Sequence, residues 1–482
     1  MNRDFIRPAA IFVIAAVFTG LVARILPEWH NDFFSLRKME WFEHLLPKAA
    51  VIDSTLADVE TVEHLQDELE PFLKKLGSMQ VMPGKEALIS RGAFGKKEKL
   101  LRIAYFGDSI IEGDLITAPL RHSLQSVYGG KGVGMMPITS IVSGFRQTIR
   151  HSFSRNWETI SFMSRNNLDL TLGITGYTFV PRPYYTAQKT IDPVITDTLF
   201  TAEGNDSTKV KIEMPKTETA RYYVDYDPWV EYKAAAIAGG AADFQDIRLF
   251  YSHAPDSSYV RIFYDNGEPI TRWLNTSSSL QVLDISPNNP VRTLRLEFPA
   301  HKPVKLYGLS FDSPEGVYVD NYPIRGYSGL YFQRMHEDIL RGFQRHLKYD
   351  LVVLQYGGNI TNPNIRNYDN YKTAMTKTIR HLKNALGEVP ILLISVQDRS
   401  IKDGTGYKTS PDIPLLVKAQ NEVAAETGCA FWNLYEAMGG YNSMLSFAQQ
   451  NPPLAGKDYT HFTRRGADKI AELLLEYLKA SK

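Results

Sequence analysis

The rhythm of hydrophobic and polar positions changes several times along the chain, and each change marks a boundary. First comes an uncharged run from Pro8 to Ala23, between Arg7 and Arg24. It falls just short of the ~17–25 residues of a spanning helix, but Ile25 and Leu26 extend it once Arg24 snorkels. Arg3 and Arg7 favour a cytoplasmic N-terminus. No small-x-small cleavage pattern follows, so residues 1–27 read as an uncleaved membrane anchor, with a buried N-terminal helix as the alternative. Residues 28–97 carry apolar positions at mixed helical spacing among many Glu and Lys, a pattern that predicts a helical stalk.

At Leu100 the character changes. Leu100 to Phe106 is an apolar run ending in Gly107-Asp108-Ser109, which predicts a buried strand entering a tight polar turn. Ile110 to Val127 has helical spacing and stops at Tyr128-Gly129-Gly130. From 139 to 317 short alternating runs recur, such as Lys209 to Glu213 and Thr293 to Phe298, separated by turn clusters such as Asp265-Asn266-Gly267. Strands punctuated in this way suggest a sandwich or jelly roll. Beyond it, Leu351 to Leu354 and Ile391 to Ile394 read as buried parallel strands alternating with amphipathic helices. The predicted architecture is an α/β domain in two parts, 98–138 and 318–482, interrupted by a β-sandwich.

Composition narrows the choice of function only modestly. The 482 residues include 54 basic and 53 acidic side chains, so no global field points to nucleic acid. The 26 Tyr and 24 Phe suit β packing or sugar stacking alike. Tyr222-Tyr223-Val224-Asp225-Tyr226-Asp227-Pro228-Trp229 offers rings for sugars, although core packing is the simpler role. The lone Cys429 excludes an internal disulfide and any Cys-based zinc site, and its apolar setting predicts a buried side chain. No metal-ligand cluster of usable spacing appears, so neither metal nor cofactor is expected.

Three segments carry candidate chemistry where open α/β sheets place their sites. Gly107-Asp108-Ser109 offers a nucleophile, but Gly, Asp and Ser are also turn formers, and the tripeptide arises by chance roughly 0.1 times in such a chain. Asp458-Tyr459-Thr460-His461 offers a base with an acid that can bend back to its ring, and of the 11 His only His461 has an Asp at that spacing. Gln355-Tyr356-Gly357-Gly358-Asn359 follows a strand and offers an amide for a developing oxyanion. Asp108 suits a structural role, accepting N–H bonds that hold the Ser turn.

Together these segments resemble blocks I, III and V of the SGNH (GDSL-type) hydrolases. Phe106-Gly107-Asp108-Ser109 matches block I, Gly357-Gly358-Asn359 block III, and Asp458-x-x-His461 block V. The glycine of block II falls in Asn321 to Gly329, with Gly329 the first choice and Gly326 the other register. The resemblance implies a flavodoxin-like three-layer fold, a Ser109-His461-Asp458 triad, and oxyanion donors from the Ser109 and Gly329 amides and the Asn359 side chain. Arg121 and Gly129 to Pro137 are similar to the segment after block I in peptidoglycan and polysaccharide O-acetylesterases, which also carry a β-sandwich insert. One departure is Ile110, where several of those relatives place His. The implied activity is removal of O-acetyl groups from an acetylated glycan on the periplasmic side of an inner membrane. The same triad also serves an O-acyltransferase, and a glycan-binding protein with a relic triad is the third reading.

Overall fold

The computed structural model describes residues 64–88, 99–164, 171–191 and 216–480. The run after Lys99 forms strand β1 (Leu100–Gly107), and later apolar runs form β2 (Gly316–Pro323), β3 (Leu351–Gln355), β4 (Ile391–Ile394) and β5 (Ala430–Trp432). These strands pair in parallel in the order β2-β1-β3-β4-β5, that of a flavodoxin-like sheet.

Parallel strands this apolar need both faces covered. The helices that cover them are α1 (Glu70–Ser78), α2 (Thr117–Tyr128), α3 (Glu337–Leu347), α4 (Asp369–Leu386), α5 (Ile413–Thr427) and α6 (Arg464–Ala480). Alternation along β1 divides them. Ala104 and Phe106 pack with Phe343, Met375, Ile379 and Leu416 of α3, α4 and α5. Leu101, Ile103 and Tyr105 face the other way, with Leu120, Leu124, Ile470 and Leu474 of α2 and α6. The result is a three-layer α/β domain. Cys429, just before β5, is buried.

The segment expected to form a stalk differs where it is described. Leu69, Phe72, Leu73 and Leu76 are buried in the same cluster as Leu101, and Lys75 donates to Asp350 at 2.7 Å. Residues 64–88 therefore belong to the α/β domain, because the apolar stripe of α1 finds a sheet face to cover. Among the described residues no helix is long and apolar enough to cross a membrane, and the expected anchor over 1–27 lies outside them.

Between β1 and β2 the chain builds two antiparallel sheets. One runs in the order 270–273, 259–264, 293–297, 229–234, 149–153, and the other 281–284, 246–252, 305–312, 177–181, 157–161. Val230, Tyr232, Leu294 and Leu296 from the first share a core with Leu249, Leu306, Leu309 and Phe311 from the second, which makes a β-sandwich. Gly134–Met136 pairs with 305–312, so the sandwich draws in chain before residue 139.

Two buried ion clusters tie the sandwich to the α/β sheet. Arg102 of β1 donates to Asp312 at 2.7 Å and to Asp320 at 2.8 Å, and Arg248 also reaches Asp312. Arg121 of α2 donates to both Asp114 oxygens and to the carbonyls of Val319 and Gly239.

Tyr184–Ile191 and Lys216–Tyr223 form a separate antiparallel hairpin, with Tyr185 stacked on Tyr222. In the aromatic run around it, core packing is not the general outcome: Tyr222, Tyr223 and Tyr226 are exposed. The partly buried Trp229 lies under the Arg295 guanidinium at 4.2 Å.

Candidate active site

Strand β1 ends at Gly107, whose carbonyl accepts from Ile324 N–H at 2.9 Å, so the exits of β1 and β2 are tied together. Asp108 then turns the chain. Its Oδ1 accepts from Ile110 N–H at 3.0 Å and caps the short 3-10 turn that Ser109 begins. Ile110, the departure from the resembling esterases, contributes this N–H and buries its side chain among the apolar residues of the α2 face.

His461 reaches Ser109 from the loop before α6. Ser109 Oγ lies 3.1 Å from His461 Nε2, and His461 Nδ1 lies 2.7 Å from Asp458 Oδ2. The loop explains how residues so close in sequence can face each other. Tyr459 has a left-handed φ of 52°, Gly456 N–H donates to His461 C=O at 2.8 Å, and the Tyr459 ring packs on Tyr407. Asp458 Oδ1 meanwhile accepts from the N–H groups of Thr460 and His461, both at 3.2 Å. Partial burial pushes the Asp458 carboxyl up, but the bonds it accepts from the His461 ring and these N–H groups outweigh that and leave it below the ordinary range. An ionised Asp458 on Nδ1 leaves Nε2 free to accept the Ser109 proton. The side chains of His461 and Asp458 are 47% and 53% exposed, so the pair stands at an open surface.

Asn359 follows β3, and its amide is already engaged. Nδ2 donates to Asp108 Oδ2 at 2.9 Å and to the Tyr327 carbonyl at 3.1 Å. Both partners are acceptors, which fixes the amide orientation. Asp108 is thus more than the cap its sequence suggested, because it links the Ser109 turn to the block III loop. Burial pushes its carboxyl up to about 6, against the opposing effects of the Ile110 N–H, His461 and Asn359.

The two block II glycines differ. Gly329 has φ +79°, and a Cβ there would lie 2.6 Å from the Tyr356 ring; Gly326 has φ +72° and open space. Gly329 therefore packs directly on the residue that leads into Gly357-Gly358-Asn359. An ion pair between Arg325 and the buried Glu112, unforeseen from the residues alone, joins the Ser109 turn to the block II loop. A lone Glu three residues after a Ser carries no local signal of a partner 213 positions away.

The structure thus brings Ser109, His461 and Asp458 into one relay and holds Asn359 against Asp108. A 480 Å³ cavity lies between α2 and α6, lined by neither Ser109, His461 nor Asp458. These three side chains stand instead at the C-terminal edge of the sheet.

One solved structure, a peptidoglycan O-acetylesterase, aligns with a TM-score of 0.56 and 19% identity, covering 88% of this chain and 96% of its own. The chain has the fold of an SGNH hydrolase. Other solved structures overlap this SGNH fold less fully. A family two carbohydrate esterase from Cellvibrio japonicus gives a TM-score of 0.24 at 10% identity over 69% of this chain and 98% of its own. An acetyl xylan esterase gives 0.26 at 17% identity over 33% and 81%. No protein-family model and no curated protein matches the chain. The likeness to the first structure covers 88% of the chain, and it establishes the fold alone.

Proposed function

We propose that the chain is a serine esterase that removes O-acetyl groups from an extracytoplasmic polysaccharide, with peptidoglycan the favoured substrate. The observation that carries this reading is the continuous relay from Ser109 Oγ through His461 to Asp458. Ser109 attacks the ester carbonyl while Nε2 takes its proton, and Asp458 steadies the imidazolium. The Ser109 and Gly329 N–H groups and Asn359 Nδ2 hold the oxyanion, each donor being worth about 3 kcal/mol in the transition state. For Asn359 to serve, it exchanges one of its present acceptors, Asp108 or the Tyr327 carbonyl, for the oxyanion. His461 then returns the proton to the departing sugar hydroxyl, and water that it activates releases acetate from Ser109.

The half-exposed His461 and Asp458 support a polymeric substrate, since a chain laid across an open surface reaches them without a deep cleft. The name of the aligned O-acetylesterase supports the choice of acetyl and of peptidoglycan. Placement outside the cytoplasm rests on the anchor read from residues 1–27.

Incubation of the protein with O-acetylated peptidoglycan and with acetylated polysaccharides tests the proposal. Acetate release by wild type and none by Ser109→Ala is expected. Acetyl transfer to added glycan with little free acetate would replace hydrolysis by acyl transfer, and unchanged turnover in Ser109→Ala would remove the proposed nucleophile.

A further inference from the structure

Past the end of β4 the chain runs through Gln397, Asp398 and Arg399 and meets both the block III and the block V loops. Gln397 Nε2 donates to the Thr460 carbonyl at 3.4 Å and Ser400 N–H donates to the Tyr459 carbonyl at 3.1 Å, which ties this segment to the loop of Asp458 and His461. Arg399 ties it to block III: Nη1 donates to Thr361 Oγ1 at 2.5 Å, and Thr361 donates in turn to the Gly358 carbonyl at 2.9 Å. Thr361 stands two residues after Asn359, which keeps their backbones within about 7 Å of each other. The Arg399 guanidinium is therefore fastened to the turn that presents Asn359.

This partly buried cation has no carboxylate partner among the described residues. The acids near it in the chain are engaged elsewhere. Asp398 accepts from the Arg399 and Met444 N–H groups, both at 2.8 Å, and Asp412 accepts from Asn362 N–H and Tyr368 Oη, both at 2.8 Å. Arg399 Nε and Nη2 have no hydrogen bond, yet neither is sealed from solvent. They form the edge of the fork that meets a carboxylate with two parallel bonds, the edge by which Arg325 grips both oxygens of Glu112. Nη1 is held by Thr361, so this edge is preset and open. Lys457, directly before Asp458, and Arg366, in the segment after block III, are exposed and likewise have no ion-pair partner among the described residues, so the surroundings favour an anion.

We propose that the Nε–Nη2 edge of Arg399 binds a carboxylate of the substrate glycan, so that the site selects acidic acetylated glycans over neutral ones. The inference rests on the reading of the chain as a glycan esterase and adds the charge of the substrate. Peptidoglycan satisfies it, because its stem peptides carry carboxylates, whereas a neutral acetylated polysaccharide offers Arg399 no partner. Because Thr361 joins Arg399 to the turn of Asn359, a bound carboxylate places an ester of the same or the neighbouring sugar near Ser109.

The test pairs a change in the protein with a change in the substrate. Fragments of O-acetylated peptidoglycan are compared with the same fragments after their carboxylates are converted to carboxamides, and the readout is the ratio of the two kcat/KM values. Wild type is expected to prefer the carboxylate form about tenfold, mainly through KM, and to lose that preference as salt is added. In Arg399→Gln the ratio should fall to about one. A merely structural role for Arg399 would lower both kcat/KM values together and leave the ratio as in wild type. Arg399→Lys keeps the charge without the fork and should fall between the two; if Arg399→Gln does not fold, a wild-type ratio in Arg399→Lys refutes recognition by the fork. Equal hydrolysis of both forms by wild type, or an undiminished preference in Arg399→Gln, overturns the proposal. If wild type cleaves no ester at all, the esterase reading fails separately. Calorimetric binding of the two fragment forms to Ser109→Ala then decides: tighter binding of the carboxylate form that is lost in Ser109→Ala/Arg399→Gln supports the anion site, and equal or absent binding refutes it.

Discussion

Replacing Asp108 with Asn is expected to move stability and activity in opposite directions at neutral pH. Burial carries the Asp108 carboxyl from its ordinary 3.8 up to about 6, whereas the unfolded chain restores the ordinary value. Between those two values the native state keeps a proton that the unfolded state has released. The stability linked to this group is therefore fully present below about pH 4 and is lost as pH rises through about 6. The full change from 3.8 to about 6 corresponds to about 3 kcal/mol. Asp108→Asn removes the titration and retains an oxygen for Ile110 N–H, but its new amide faces the Asn359 donor. That mismatch costs about 1 kcal/mol and does not vary with pH. Urea unfolding from about pH 4 to about pH 8 should therefore show the variant gaining about 3 kcal/mol on wild type across the range. Turnover should fall in the same variant, because Asn359 loses the acceptor that orients it. A stability difference that stays flat across this pH range would refute the assignment of a strained, buried carboxylate.

Other expectations follow from the same geometry. Asp458→Asn cannot hold the His461 tautomer, so kcat should fall about 10²–10⁴-fold with KM little changed, as steady-state kinetics on a small acetyl ester would read. Gly326→Ala meets only the left-handed backbone penalty of about 1–2 kcal/mol, whereas Gly329→Ala also drives a methyl into the Tyr356 ring and should cost more stability and most of the activity. Arg102→Leu leaves Asp320 and part of Asp312 buried without a cation, and urea unfolding should show a loss of about 3–5 kcal/mol.

What the sequence made legible were the features written in adjacent residues. The apolar run into Gly107-Asp108-Ser109 announced a strand and its exit turn, and an Asp three residues before His461 announced a base with its orienting acid. The parallel sheet followed from runs such as Leu351 to Leu354 that are too apolar for one covered face. Other features depend on which distant segments meet. Phe72, Leu73 and Leu76 mark an amphipathic helix without saying which surface it covers, so α1 read as part of a stalk and proved to be part of the domain. The Asn359–Asp108 bond spans 251 positions, and the Glu112–Arg325 pair is comparably remote. Asp108 read as a turn former because its burial, and with it the raised carboxyl, comes from chain that arrives only in the folded state.

The central claim is that Ser109 is a nucleophile activated by His461. Labelling with a fluorophosphonate followed by peptide mass spectrometry tests it most directly. The account predicts a single adduct on Ser109, formed at wild-type speed only while His461 is present and nearly abolished in His461→Ala. An adduct on another residue, or equal labelling of Ser109 without His461, would contradict it.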